Sequence, residues 1–185
     1  MRLLKIAVFF AGTLLTISTA HAQGTTAVTV GGAAMYPSKN IIENAVNSKD
    51  HTTLVAAVKA AGLVETLQGD GPFTVFAPTN EAFDKLSAGT VDNLVKPENK
   101  ATLTKILTYH VVAGKFDANA IAALIKAGEG KAALKTVSGG ILTATMKGAQ
   151  LVLTDEKGGM STVTIKNVYQ HNGVIHVIDT VLMPN

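Results

Sequence analysis

Ser161-Thr162-Val163-Thr164-Ile165-Lys166-Asn167-Val168-Tyr169-Gln170-His171-Asn172-Gly173-Val174-Ile175-His176-Val177-Ile178-Asp179 carries the pattern that decides the fold. Val163 and Ile165 alternate with Thr162, Thr164 and Lys166, the two-residue period of a half-buried strand. Asn172-Gly173 suits the positive backbone angles of a tight hairpin, and Val174 to Ile178 then reads as a nearly continuous buried strand. Working upstream, Ala132–Val137, Ile141–Lys147 and Gln150–Thr154 are further strand candidates. Ser138-Gly139-Gly140, Gly148 and Gly158-Gly159 separate them, and these spacings predict an antiparallel meander.

The first half of the chain is helical in pattern. Ser38 is placed to cap a helix burying Ile41, Ile42, Ala45 and Val46, and Asp50 to cap another burying Leu54, Val55, Val58 and Ala61. Phe73–Ala77 interrupts them as a short strand stopped by Pro78, after which Thr79 or Asn80 caps a short helix. Thr90 opens a turn of helix ending before Pro97. Leu103, Ile106, Leu107 and His110 recur at helical spacing, Tyr109–Val112 is strand-like, and Asp117 caps a helix carrying Ile121, Leu124 and Ile125 that Gly128 ends. Helices precede sheet instead of alternating with it, so the class is α+β and not a doubly wound parallel fold.

The chain has 185 residues, 47% hydrophobic and 16% charged, with no cysteine and no tryptophan. Disulfides, thiol nucleophiles, zinc-thiolate sites and iron-sulfur clusters are thereby excluded. Arg2 and Lys5, the apolar run Leu3–Ile17 and the small-residue site Ala20-His21-Ala22 read as an export signal cleaved after Ala22. The expected organisation is a signal peptide over 1–22, a flexible segment over 23–36 and one domain over 37–185. Without the signal, fourteen basic side chains face thirteen acidic ones and no arginine remains. Nucleic-acid binding is therefore disfavoured, since it leans on clustered positive charge and the guanidinium fork.

The chemistry-bearing residues are sparse. His51, His110, His171 and His176 form no helical metal pair and no His-Glu-x-x-His motif. His110 and His176 sit in apolar surroundings and read as core histidines satisfied by hydrogen bonds. No Gly-x-Ser-x-Gly nucleophile motif occurs, the glycines follow no phosphate-binding pattern, and Asp155-Glu156 beside Gly158-Gly159 reads as solvated turn charge. No catalytic, cofactor or metal residue is assigned.

Three stretches resemble the signatures of the fasciclin domain family. Phe73-Thr74-Val75-Phe76-Ala77-Pro78-Thr79-Asn80-Glu81-Ala82-Phe83 is similar to the first, Leu107-Thr108-Tyr109-His110-Val111-Val112 to the central Tyr-His motif, and Asn172-Gly173 through Val181-Leu182-Met183-Pro184 to the closing one. The resemblance implies an antiparallel β wedge or sandwich with a packed layer of short helices. Phe73, Phe76, Pro78, Thr79, Asn172, Gly173, His176 and Asp179 are then structural motif residues. In animal members the Tyr-His region is implicated in integrin recognition, which makes Tyr109 and His110 the candidate partner-binding residues. A second animal adhesion motif carries an Asp-Ile pair where this chain has Asn167-Val168. The function implied is an exported, non-enzymatic interaction module, secreted or periplasmic and monomeric, serving cell adhesion or matrix association through a protein or surface polysaccharide. A small-ligand carrier with an apolar pocket between sheet and helices is the alternative, and a secreted hydrolase ranks third.

Overall fold

A computed structural model describes residues 26–185, so the stretch read as an export signal and its expected cleavage site lie outside the described residues. Chain order runs β1 (Val28–Val30), β2 (Ala33–Met35), α1 (Ile41–Ala45), α2 (Thr52–Ala61), α3 (Val64–Gln68), β3 (Phe73–Pro78), α4 (Asn80–Asp84), α5 (Thr90–Leu94), α6 (Lys100–Tyr109), β4 (Val111–Ala113) and α7 (Ala118–Ala127). The meander follows as β5 (Lys131–Lys135), β6 (Ile141–Lys147), β7 (Gln150–Thr154), β8 (Met160–Gln170) and β9 (Gly173–Ile178). Single 3-10 turns at Lys49–His51 and Pro97–Asn99 lead into α2 and α6. Among the described residues no helix is long and apolar enough to cross a membrane.

Seven strands form one sheet in the order β4-β3-β9-β8-β7-β6-β5. Neighbours run antiparallel except at one pair, where β9 lies parallel to β3, Phe73 opposite Gly173 and Phe76 opposite His176. An all-antiparallel arrangement, as the meander pattern suggests, is corrected at this one pair. Both strands are apolar on both faces, the composition of a strand buried on two sides. The sheet also curls until its edges meet: Val112 bridges to Thr136, and Val137 donates its N–H to the Val111 carbonyl at 2.8 Å. That contact makes the wedge.

Alternation along the central strands feeds two cores. Val75, Ala77, Ile175 and Val177 pack under the helices with Ile42, Leu54, Val58, Leu103 and Leu107. Phe76 and Ile178 point into the wedge with Tyr109, Leu134, Leu142 and Leu153, closed by Ile121 and Ile125 of α7.

Several local expectations change. Residues 28–35, inside the segment expected to be flexible, form the β1–β2 hairpin around Gly31-Gly32, and Val30 and Met35 are buried in the helix-side core. Asn40, not Ser38, caps α1: its side chain accepts the Glu43 N–H at 2.9 Å while Glu43 accepts the Asn40 N–H, a reciprocal capping box. The start of α2 is capped from outside, because Asn80 accepts from Thr53 N–H at 3.0 Å and Asp50 lies in the 3-10 turn before it. The β8–β9 turn is His171-Asn172, so Gly173 is the first residue of β9 and has no positive φ. Glycine is required there by crowding instead: a Cβ would overlap the Phe73 carbonyl oxygen and stand 2.9 Å from its carbon.

Candidate functional site

The three signatures meet where β4, β3 and β9 lie side by side. Helix α6 ends at Tyr109, and the next carbonyl, that of His110, accepts the Phe76 N–H at 2.9 Å, joining the central motif to the first. His110 donates from Nδ1 to the Ile106 carbonyl at 2.9 Å and accepts the Leu182 N–H on Nε2 at 3.0 Å, tying the helix end to the closing motif. Accepting on Nε2 fixes the neutral Nδ1–H tautomer. Burial removes the water that would solvate a cation and takes the ring down to about 4.

Tyr109 points the other way, into the wedge core. Its hydroxyl donates to the Ile141 carbonyl at 2.8 Å and accepts the Glu156 N–H at 3.2 Å. Loss of water around the phenol, reinforced by the nearby Glu156 and Asp155 carboxylates, pushes it up to about 12. Gly140 makes room for the ring, since a Cβ there would approach Tyr109 Cε2 to 2.7 Å. Tyr109 is 0% exposed and His110 3%. Both candidate partner-binding side chains are thus buried in this structure, where they tie the end of α6 to the strands on either side.

The other motif residues have structural partners. His176 stacks on Phe76 with ring centroids 5.7 Å apart, and its Nε2 pairs with the Phe116 carbonyl at 2.9 Å. Burial lowers its pKa. Asn172 is a hub: its Oδ1 accepts the Ile41 N–H at 3.1 Å, and its Nδ2 donates to the carbonyls of Leu67 at 2.9 Å and Gly69 at 2.7 Å. Thr79 caps α4 by accepting from Ala82 N–H at 3.3 Å. Pro78 lies beyond the stretch of β3 that pairs with β4, where a missing N–H leaves nothing unpaired on that side. Asp179 accepts the Thr162 N–H at 2.8 Å and the Ser161 hydroxyl at 3.2 Å, and its pKa falls because these bonds outweigh its desolvation. Phe73, half-buried, starts β3.

The acids read as solvated turn charge are engaged as well. Asp155 is buried and accepts N–H groups from Lys157, Gly159 and Met183 at 2.7 to 3.0 Å, and Glu156 accepts from Ile141 and Asn185. Asn167, at the position of the animal motif's acid, has φ 61° and accepts the Ala118 N–H at 2.7 Å, helping Asp117 cap α7; Val168 is buried. No group of three His, Cys, Asp or Glu side chains able to hold a metal occurs among the described residues.

Two cavities stand out among the described residues. An open groove of about 610 Å³ lies between α7 and the outer meander, where exposed Asn119, Gln150, Thr164 and Lys166 surround Met146 and Leu151. A smaller, almost wholly apolar one lies in the helix-side core beside His51. No local motif marks either, because residues from distant elements line each of them.

The fasciclin domain profile matches residues 49–184. The chain belongs to the fasciclin domain family. Among relatives of this fasciclin chain, Protein sll1483 of Synechocystis is 48% identical over 155 residues, 84% of this chain and 79% of the relative. The cell surface glycolipoprotein MPB83 of Mycobacterium bovis is 38% identical over 160 residues, 84% of this chain and 64% of that protein. Among solved structures, the domain pair from the insect cell adhesion molecule Fasciclin I superposes with a TM-score of 0.71 at 16% identity, over 85% of this chain and 57% of that one. The α+β fasciclin fold expected from the three signatures is thus the fold observed.

Proposed function

We propose that this fasciclin domain is an exported interaction module without catalytic chemistry, acting in adhesion or matrix association at the periplasm, envelope or medium by binding a protein or surface polysaccharide. The groove between α7 and the meander is the observation that carries this reading. Its exposed amide and hydroxyl groups, set around Met146 and Leu151, combine hydrogen-bonding capacity with an apolar floor, which suits an uncharged polar partner. The names of MPB83 and Fasciclin I, a cell surface protein and a cell adhesion molecule, point the same way. A hydrolase finds no support, since Asp155 and Glu156 are committed to backbone N–H groups.

Binding of the purified protein to immobilised envelope protein and polysaccharide fractions tests the reading. A Gln150→Arg/Thr164→Arg double variant should lose at least tenfold in affinity, and Val46→Arg, at the exposed position just after α1, should lose nothing. Binding should persist in EDTA and weaken little in salt, because a near-neutral, arginine-free surface has little attraction to screen. Equal binding by both variants and wild type would remove the groove from the mechanism.

A further inference from the structure

The groove beside α7 is a break in the sheet. Strands β7 and β8 pair only at Val152 with Thr162, Leu153 with Ser161 and Thr154 with Met160. Continued in the same register, the ladder would join Leu151 to Val163 and then Gln150 to Thr164. These four residues instead line the groove, with Ala118, Asn119 and Ala122 of α7 beside them. The cause lies on the other edge of β8. Val163 and Ile165 stand opposite the consecutive residues Ile178 and Val177, and a second irregularity falls between Ile165 and Val168. Extra residues of this kind bend a strand and increase its twist, so β8 follows β9 and parts from β7.

The break leaves backbone groups aimed across it. Thr162 turns its own toward the β9 side, donating its N–H to Asp179 Oδ1 at 2.8 Å and accepting the Asp179 N–H at 3.2 Å. Successive residues of a strand point their N–H and C=O to opposite edges, so those of Val163 point toward β7. Leu151 and Val163 would thus form the next hydrogen-bonded pair, and the ladder stops short of it. The side chains sort by face. Leu151 and Val163 belong to the wedge core, and Met146, opposite Leu151 on β6, extends that floor together with Ala118 and Ala122. Gln150, Thr164 and Lys166 are exposed.

We propose that this gap takes an extended peptide segment of a partner protein, which enters as an added strand between β7 and β8 and pairs with both. The proposal rests on the groove as the binding site and names its partner. In such strand addition the main chain supplies affinity and alternate side chains supply selectivity. At roughly 30 Å³ for each water-sized group, about 610 Å³ holds about twenty non-hydrogen atoms, or about three residues with small side chains. An apolar side chain directed inward meets Met146, Leu151 and the alanines of α7, and its polar neighbours lie beside Gln150 and Thr164. Lys166 is the one charged side chain among the described residues of the lining, so a segment without basic residues suits the site. A polysaccharide is served less well, because no aromatic face on which sugar rings could pack is among those residues.

The probe is the blocked peptide acetyl-Thr-Val-Ser-Leu-Thr-amide, followed through backbone amide shifts of the isotope-labelled protein. Saturable shifts should centre on Leu151, Val163 and Thr164, and the Leu151 and Val163 amides should exchange with solvent at least tenfold more slowly at saturation. The same peptide N-methylated at its valine and leucine nitrogens keeps the side chains and loses the donors along one edge, so it should bind at least tenfold more weakly. Ala122→Phe, which fills the groove, should abolish binding. If that variant does not fold, the two peptides on the wild-type protein still decide. Absence of saturable shifts at these amides, or equal binding of the N-methylated peptide, overturns the proposal. So does saturable binding there by cellotetraose in place of the peptide. Envelope binding that is lost in Gln150→Arg/Thr164→Arg, in a protein silent toward the peptide, would sink strand addition alone and keep the groove as the site.

Discussion

The two faces of one sheet are built on different terms. The wedge side keeps a tightly filled interior, with Leu142, Leu153 and Ile178 at 0% exposure and the Tyr109 hydroxyl paired twice, and its open groove lies outside that interior, beside α7. The helix side is assembled from short helices and a hairpin, and it keeps both a cavity and an unpaired imidazole nitrogen. A strand meander closes through ladder hydrogen bonds that join each strand to the next. Short helices packed on a twisted sheet meet it at separate angles and leave gaps between them. Consecutive residues Tyr109 and His110 divide the task, one anchoring each side.

The comparison can be broken most directly by paired truncations. Leu142→Ala in the wedge should cost about 4 kcal/mol, whereas Leu54→Ala beside the cavity should cost about 2 kcal/mol, because Leu54 already lacks contacts on one side. Equal shifts of the urea midpoint would mean that the two cores are packed alike.

Gly173→Val tests the seam between the faces. A branched side chain would drive into the Phe73 carbonyl and pry β9 from β3, for a loss of about 3 kcal/mol. An unchanged denaturation midpoint would show that the parallel pair tolerates separation.

Acid should loosen the helix-side anchor. His110 has a folded-state pKa of about 4 against 6.5 for an unfolded histidine, so the unfolded chain binds the extra proton first. Stability is full above pH 6.5 and declines as pH falls toward 4, by up to about 3 kcal/mol from this residue. His51 and His176, both lowered by burial, add in the same direction. Thermal melts at pH 7, 5.5 and 4.5 check the slope, which His110→Gln should flatten. A flat wild-type profile across this window would contradict the buried neutral ring.

The smallest effect expected is that of Tyr109→Phe, which keeps the ring and unpairs the Ile141 carbonyl and Glu156 N–H. A loss of about 1 to 2 kcal/mol should follow, with partner affinity of the folded protein intact. Reduced affinity without reduced stability would return the Tyr-His motif to a recognition role.

Much of the fold was legible because strand period and glycine punctuation are local signals: Ile141–Lys147 and Gln150–Thr154 have the bounds the alternation implies. The first residues of the domain were not. Val28–Met35 is short and uncharged, and its burial depends on a core supplied by α1 and α2. Gly173 was rightly singled out, but for the wrong cause, since the crowding comes from a strand a hundred residues away.

The sequence by itself determined the α+β class, the meander, the helix stops and the fasciclin signatures, because each is written in neighbouring residues through periodicity, capping and turn chemistry. Tertiary structure alone decided that β9 lies parallel to β3, that Tyr109 and His110 face inward on opposite sides, and that the buried His51 is left with an unpaired ring nitrogen. These depend on which distant backbones approach one another, and burial and hydrogen-bond partners are properties of that approach, not of any local stretch of chain.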